Sequence, residues 1–142
     1  MRLRGHAGFH SPLVAAVSDR ALDHFPTDIF QQPDLPMIDG RGCIWWPQAT
    51  DHAALKDYTF GHQVTQPYDF ARAITVAARE FCPDLFIVAG PGTTLGGSVA
   101  QSLILAGWRG MASKDDFLAV QGETPLLISM GREDQRQLVT KG

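Results

Sequence analysis

Hydrophobic positions recur at helical spacing in two stretches of the chain. The first stretch follows Ser11-Pro12, a pair typical of a helix start, and continues to about Asp23. The second follows Pro67, is more regular, and ends before Pro83, since its apolar side chains stand at positions 70, 74, 77, 78 and 81. Shorter helices are predicted for about 51–59, from Gly97 to about Leu105, and for about 113–120.

Continuous apolar runs indicate strands between these helices. Leu85–Val88 is the clearest, and a run of this kind is typical of a strand buried on both faces in a parallel sheet. Shorter runs at 35–38 and 126–128 also predict strands, and 44–47 is either a strand or a packed loop. The sequence Asp39-Gly40-Arg41-Gly42 predicts a turn. Helices that alternate with buried strands predict an α/β fold.

Composition narrows the function classes. The chain has 142 residues, a length that suits one domain, and 44% hydrophobic with 19% charged residues exclude a disordered protein. The net charge is −3 and the basic residues are scattered, which argues against a nucleic-acid partner. Cys43 and Cys82 form no CxxC pattern, so a reducing, cytoplasmic location is expected. No membrane partner is expected, because no apolar run would cross a bilayer, and no signal peptide is recognised.

Two segments contain candidate chemistry. His10 directly precedes a helix start, where an imidazole can project into a cleft and act as a general base, although a single histidine is more often structural or merely exposed. The glycine-rich segment 90–97 lies between a strand and a helix, where phosphates bind in other proteins. Its spacing is G-x-G-x-x-x-G and no P-loop lysine follows, so a tight turn that lets strand and helix pack closely is favoured.

Other catalytic patterns are missing from the sequence. No G-x-S-x-G nucleophile elbow occurs, and Ser98 is expected inside a helix. The remaining histidines show no metal-ligand spacing, so no metal site is predicted: they are His6, His24, His52 and His62.

Three blocks resemble the second half of the malonyl-CoA:acyl carrier protein transacylases and the related acyltransferase domains of polyketide synthases. Residues 8–13 contain F-H-S-P-L, residues 63–70 are similar to Q-x-x-x-P-V-x-F/W, and residues 86–95 are similar to F-x-E-V-G-P-G-x-x-L. The blocks follow one another with family-like spacing over about residues 3–105. The resemblance divides the chain into 1–107, the C-terminal half of an acyltransferase domain, and 108–142, an extension of unknown role.

The resemblance implies a fold and a reaction. The fold is the C-terminal part of an α/β-hydrolase-like large subdomain, with a mostly parallel sheet flanked by helices. The reaction transfers a malonyl group from coenzyme A, through a serine ester, to the phosphopantetheine thiol of acyl carrier protein, and a histidine activates the serine. Malonyl-CoA, acyl carrier protein and, for a split enzyme, a separate N-terminal half are the implied partners. No bound cofactor is implied.

The resemblance also assigns residues. His10 corresponds to the general base, and the backbone carbonyl of Gln63 to the acceptor that orients the imidazole. Phe9 corresponds to a position that accompanies preference for malonyl over bulkier methylmalonyl groups. The remaining residues are structural near the site: Ser11, expected to cap a helix, and the turn residues Gly90, Pro91 and Gly92.

The chain departs from the family in what it lacks. Val88 replaces the family's acidic residue before the G-P-G turn, and the nucleophile elbow, the malonyl-binding arginine and the oxyanion-hole donors belong to the N-terminal half. Of the small subdomain between serine and histidine, only a last strand at Arg2–Arg4 is expected. The isolated chain is therefore expected to be inactive and, as a half-sheet, to expose apolar surface and an unpaired edge.

Two other hypotheses stay open at the sequence level. One is a non-catalytic binding or scaffold module derived from the same fold. The other is an α/β nucleotide-binding module that uses the glycine turn at 90–97, which a loss of dinucleotide binding in Gly92→Val would support.

Overall fold

The computed structural model describes residues 8–90 and 92–140. Three contiguous segments, His52–Lys56, Asp57–His62 and Gln63–Thr65, form one helix, α2, whose middle segment is π-helical. The other helices are α1 (Ala15–His24), α3 (Phe70–Phe81), α4 (Leu95–Leu105), α5 (Lys114–Glu123) and α6 (Glu133–Thr140). The strands are β1 (Met37–Ile38), β2 (Ile44–Trp45), β3 (Phe86–Val88) and β4 (Leu127–Ser129), and short 3-10 turns cover Pro12–Val14, Thr27–Ile29 and Trp108–Gly110.

The chain divides into two compact units, one ending at Phe70 and the other beginning at Ala71. This division differs from the one that the motif match gives, which falls after residue 107. Segment 108–142 supplies β4, the partner strand of β3, and so belongs to the second unit.

In the first unit, α1 packs against α2. The hydroxyl of Ser18, which is 3% exposed, donates to the carbonyl oxygen of Phe60 at 2.6 Å. The ring of Phe60 stacks on that of Phe25 with 5.1 Å between centroids. Strands β1 and β2 form an antiparallel hairpin, which resolves the sequence ambiguity at 44–47 in favour of a strand. The contacts of Ser18 and Phe25 with Phe60 position α2, whose C-terminal end holds the candidate site.

In the second unit, β3 and β4 pair in parallel, with Phe86 opposite Leu127 and Val88 opposite Ser129. The connection between them runs through α4 and α5, as parallel strands require. Leu103 and Leu126 are fully buried and form the centre of this unit's core. The expected mixture of helices and strands is confirmed, as small two-stranded sheets among helices.

The expectation for β3 was wrong in one respect. Phe86 and Val88 are half-buried and Ile87 is 49% exposed, so this strand is not buried on both faces. All three residues of β4 are buried. Within the described ranges β4 is the only strand beside β3, so one edge and part of one face of β3 lack a covering neighbour.

Among residues 8–90 and 92–140, no helix combines the length and the apolar character needed to cross a membrane.

Candidate active site

The end of α2 holds His10 through its main chain. Since the last carbonyls of a helix have no partners within that helix, those near Thr65 are free to accept hydrogen bonds from elsewhere. The backbone N–H of His10 donates to the carbonyl oxygen of Val64 at 2.8 Å. His10 has a φ of 63°, a left-handed conformation that is uncommon outside glycine and that is frequent at functional sites.

The imidazole of His10 is held by the neighbouring carbonyl. Nδ1 lies 2.6 Å from the carbonyl oxygen of Gln63, 53 positions along the chain. A carbonyl oxygen only accepts, so Nδ1 donates and the neutral ring carries its lone pair on Nε2. Nε2 has no hydrogen-bond partner within the described ranges, and the side chain is exposed. An imidazole in this state can take a proton from a group brought to Nε2.

Tyr68 forms one wall beside this imidazole. The rings of His10 and Tyr68 lie 5.5 Å apart between centroids, tilted by 51°. Burial raises the pKa of Tyr68, and the negative charge of Asp39 raises it further, so the phenol stays neutral and can donate a hydrogen bond. Tyr68 and Gln63 also line a cavity of about 230 Å³, and Trp45 lines it too with a buried indole N–H that has no partner among the described residues.

The Asp39 turn supports Tyr68. The carboxylate of Asp39 accepts from the backbone N–H groups of Arg41 and Cys43 at 2.8 and 3.1 Å, and from Nη2 of Arg41 at 2.6 Å. Burial raises the pKa of Asp39, but these hydrogen bonds and the Arg41 charge more than offset that effect and hold the pKa below its usual value.

Tyrosines connect this turn to the site. The guanidinium of Arg41 lies 4.3 Å above the ring of Tyr58, whose hydroxyl oxygen accepts from the backbone N–H of Gly40 at 2.7 Å. A Cβ at Gly40 would overlap the ring of Tyr68, so only glycine allows this close approach. The turn therefore fixes the position of the ring beside His10.

The other assigned residues of the first unit lie next to His10. Phe9 is 56% exposed, so its ring is open to solvent beside His10. Ser11 occupies the cap position of the turn at Pro12–Val14, but the expected capping bond is absent. Its hydroxyl donates to the carbonyl oxygen of Gly8 instead, at 2.5 Å, so Ser11 closes the loop that presents His10.

The glycine turn belongs to the second unit. Gly90 and Gly92 have φ values of 128° and 70°, which residues other than glycine rarely adopt. Pro91 lies outside the described residues. A Cβ at Gly131, which follows β4, would overlap the backbone carbonyl of Gly92. Gly131 therefore permits the close approach of the loops after β3 and β4. A Cβ at Gly92, Gly96 or Gly97 meets no atom within 4 Å, so close packing of strand and helix does not require these glycines.

Ser98 lies inside α4, as expected, and is not in a strained strand-to-helix turn. Within the part of the chain that the structure describes, no group of histidine, cysteine and carboxylate side chains could hold a metal ion. The expected strand at Arg2–Arg4 lies outside the described residues.

The chain matches no family model, no curated protein and no solved structure. The resemblance to acyltransferases therefore depends on the three sequence blocks alone.

Sequence reasoning missed the Asp39 turn and the tyrosines as parts of the site. The sequence Asp39-Gly40-Arg41-Gly42 predicts a turn and no contact with the site. An aspartate that opens such a turn commonly accepts from backbone N–H groups farther along, and that pattern was the available signal for Asp39. The approach of Tyr68 to His10 has no local signal, because 58 positions of chain separate them.

Proposed function

We propose that this chain is the C-terminal half of an acyltransferase of the malonyl-CoA:acyl carrier protein type, and that His10 is its general base. The observation that supports this most directly is the contact between Nδ1 of His10 and the Gln63 carbonyl oxygen at 2.6 Å. The resemblance implies the same pairing from motifs 53 positions apart. A hydrogen bond from Nδ1 to this carbonyl leaves the lone pair of a neutral ring on Nε2, the nitrogen that must receive a proton.

In this proposal, a serine from an N-terminal half approaches Nε2 of His10. The imidazole takes the hydroxyl proton while the serine oxygen attacks the malonyl thioester, and coenzyme A leaves as its thiol after receiving that proton from His10. The phosphopantetheine thiol of acyl carrier protein then attacks the serine ester, with His10 again moving the proton. The carbonyl of Gln63 keeps the ring in the required tautomer throughout.

The second unit supports the finer fold proposal, a larger parallel sheet completed by the other half. At the outer edge of β4, the side chain of Gln121 bonds both the N–H and the C=O of Leu127, and Gln135 accepts from the N–H of Ser129. The backbone groups of Phe86 and Val88 bond to β4, and in a parallel ladder the backbone of the residue between them, Ile87, faces the other edge of β3. Further strands would therefore add at β3, where the apolar side chain is also exposed.

The test combines this chain with an N-terminal acyltransferase half that carries G-H-S-x-G, and measures the mass of acyl carrier protein after incubation with malonyl-CoA. We expect no transfer by the isolated chain and transfer by the pair. His10→Ala should lower the rate of the pair by roughly 10³-fold or more, because the base and the nucleophile act as a unit. Gln63→Ala should retain activity, because the orienting oxygen belongs to the main chain.

His24→Ala is the matched control, since it removes an imidazole outside the site, on α1. Transfer by the isolated chain at an enzymatic rate, or an active pair that carries His10→Ala, would contradict the proposal. A stable chain for which no N-terminal half restores transfer would favour the scaffold hypothesis.

A further inference from the structure

A cavity of about 430 Å³ lies within the second unit, and none of the residues placed in the histidine site lines it. The start of α4, one side of α5 and strand β4 surround it. Its volume falls in the range of small-molecule sites, which are mostly apolar and contain a few polar groups that orient the ligand.

The polar group of most interest is the hydroxyl of Ser129. This residue is 4% exposed, and its Oγ has no hydrogen-bond partner among the described residues. Leu127 and Ser129 line the cavity and Ile128, between them, does not. Because side chains alternate along a strand, the hydroxyl of Ser129 lies on the cavity side. A buried hydroxyl without a partner is unfavourable, and a ligand oxygen in the cavity would satisfy it.

Two basic side chains border the same cavity. Lys114 and Arg132 both line the cavity. Arg132 already pairs with Asp134 at 3.2 Å, whereas Lys114 is exposed and forms no ion pair in residues 8–90 and 92–140. The cavity also contains the first turn of α4, an 11-residue helix with no capping side chain and no acidic residue in that turn. Its free N–H groups attract negative charge.

The remaining wall is apolar. Ile104 of α4 and Phe117 and Leu118 of α5 line the cavity. Phe117 is buried, whereas Leu118 is 52% exposed, and a ligand lying along α5 would cover it. A ligand that complements both the basic and the apolar side of the cavity has an anionic head and an apolar body.

We propose that this cavity binds a small amphipathic anion. Its carboxylate or phosphate head contacts Ser129, Lys114 and the first turn of α4, and its apolar body lies along Phe117 and Leu118. This site is independent of the acyltransferase proposal, since it uses neither His10 nor a partner chain.

Three probes that share a six-carbon chain test the proposal on the full chain: hexyl phosphate, hexanoate and 1-hexanol. Calorimetry should show that at least one anion binds about tenfold more tightly than the neutral alcohol, because a charge-assisted hydrogen bond contributes about that factor. The tighter anion identifies the head group. Lys114→Gln should abolish the preference, whereas Lys56→Gln, which removes an equal charge outside the cavity, should preserve it.

Two further variants separate ligand binding from folding. Ser129→Ala should lower the affinity for the two anions more than the affinity for 1-hexanol. Gly97→Leu should block all three probes, because Gly97 lines the cavity and the added side chain would occupy it. The fold should tolerate this change, because a Cβ at Gly97 meets no atom within 4 Å. Equal affinity for the alcohol and both anions, no binding of any probe, or an unchanged preference in Lys114→Gln would overturn the proposal. Lys114 is exposed, so that variant keeps the test valid even if Ser129→Ala unfolds.

Discussion

Different interactions stabilise the interiors of the two units: hydrogen bonds of buried polar side chains in the first, and apolar packing in the second. In the first unit, buried side chains include the polar residues Ser18, Asp39 and Thr50, and each makes at least one hydrogen bond. In the second unit, the buried residues are mostly apolar, with Leu103 and Leu126 fully enclosed. Directional bonds can orient an imidazole, and apolar packing can shape a cavity wall. Each proposed site lies in the unit whose interactions suit it.

The surfaces of the two units do not show this difference. Large apolar side chains are exposed in both, including Leu13 at 88% and Leu35 at 75% in the first unit and Leu105 at 75% and Leu138 at 62% in the second. Exposed apolar groups of this size are typical of surfaces that contact another protein segment, which agrees with the proposal of a second acyltransferase half.

The largest effect is expected for the core of the second unit. Leu103→Ala should lower the free energy of unfolding by about 2–5 kcal/mol, because it leaves a cavity in a fully buried position. Leu105→Ala makes the same chemical change in the same helix at a side chain that is 75% exposed, and should cost less than about 0.5 kcal/mol. Urea denaturation followed by circular dichroism measures both. Equal costs would mean that packing around Leu103 does not stabilise this unit.

A smaller, pH-dependent effect is expected for the polar core of the first unit. Asp39→Asn keeps the shape of the side chain but removes the negative charge that faces Arg41. It should lower the free energy of unfolding by about 1–2 kcal/mol at neutral pH. The folded pKa of Asp39 lies below its ordinary value of 3.8, so the carboxylate stabilises the fold above that value and the stabilisation is lost as the pH falls through the folded pKa.

The difference between the wild type and Asp39→Asn should therefore be constant from pH 7 to about 5 and shrink on further acidification. Thermal melts of both proteins across this range provide the measurement. Asp19→Asn, an exposed carboxylate on α1 in the same unit, is the control and should show a smaller dependence. A difference that grows toward low pH would show that the charge of Asp39 is a net cost to the fold.

The smallest effect on stability, and a clear effect on association, is expected at β3. Ile87 is 49% exposed and its backbone edge is unpaired within the described ranges, so Ile87→Lys should change stability by less than about 0.5 kcal/mol. It should nevertheless reduce self-association, because an edge lysine opposes strand pairing between chains. Sedimentation velocity compares it with Leu138→Lys, which places the same charge at a side chain of α6 that is 62% exposed. Equal association in both variants would exclude the β3 edge as the contact.

Local pattern predicted much of the fold. The helical spacing at 70–81 and the helix after the glycine turn correspond closely to α3 and α4. Helix α6 was missed because Leu138 and Val139 are the only large apolar residues in it, too few for a periodic signal. The exposure of β3 was missed because an apolar run reveals the composition of a strand but not which neighbours the fold gives it.

The candidate site depended on information of another kind. The pairing of His10 with Gln63 came from the family resemblance, since no periodicity relates residues 53 positions apart. The Asp39 turn and Tyr68 were missed because their roles depend on tertiary contacts between the hairpin and the chain after α2. The sequence therefore predicted the imidazole and its Gln63 partner, but not the Asp39 turn or Tyr68.

The π-helical middle of α2 has a consequence for which insertions and deletions this chain can tolerate. Hydrogen bonds in a π-helix join residues five apart and in an α-helix four apart, so the segment Asp57–His62 accommodates an additional residue. Deleting one residue there would restore α-helical geometry and leave the flanking turns close to their present direction. Deleting one residue from the α-helical part His52–Lys56 would instead turn everything beyond it by about 100°. The oxygen atoms of Gln63 and Val64 would then point away from the loop that presents His10. Point substitutions cannot remove a main-chain oxygen, so the hydrogen bonds that hold His10 depend on the length of this helix more than on its side chains.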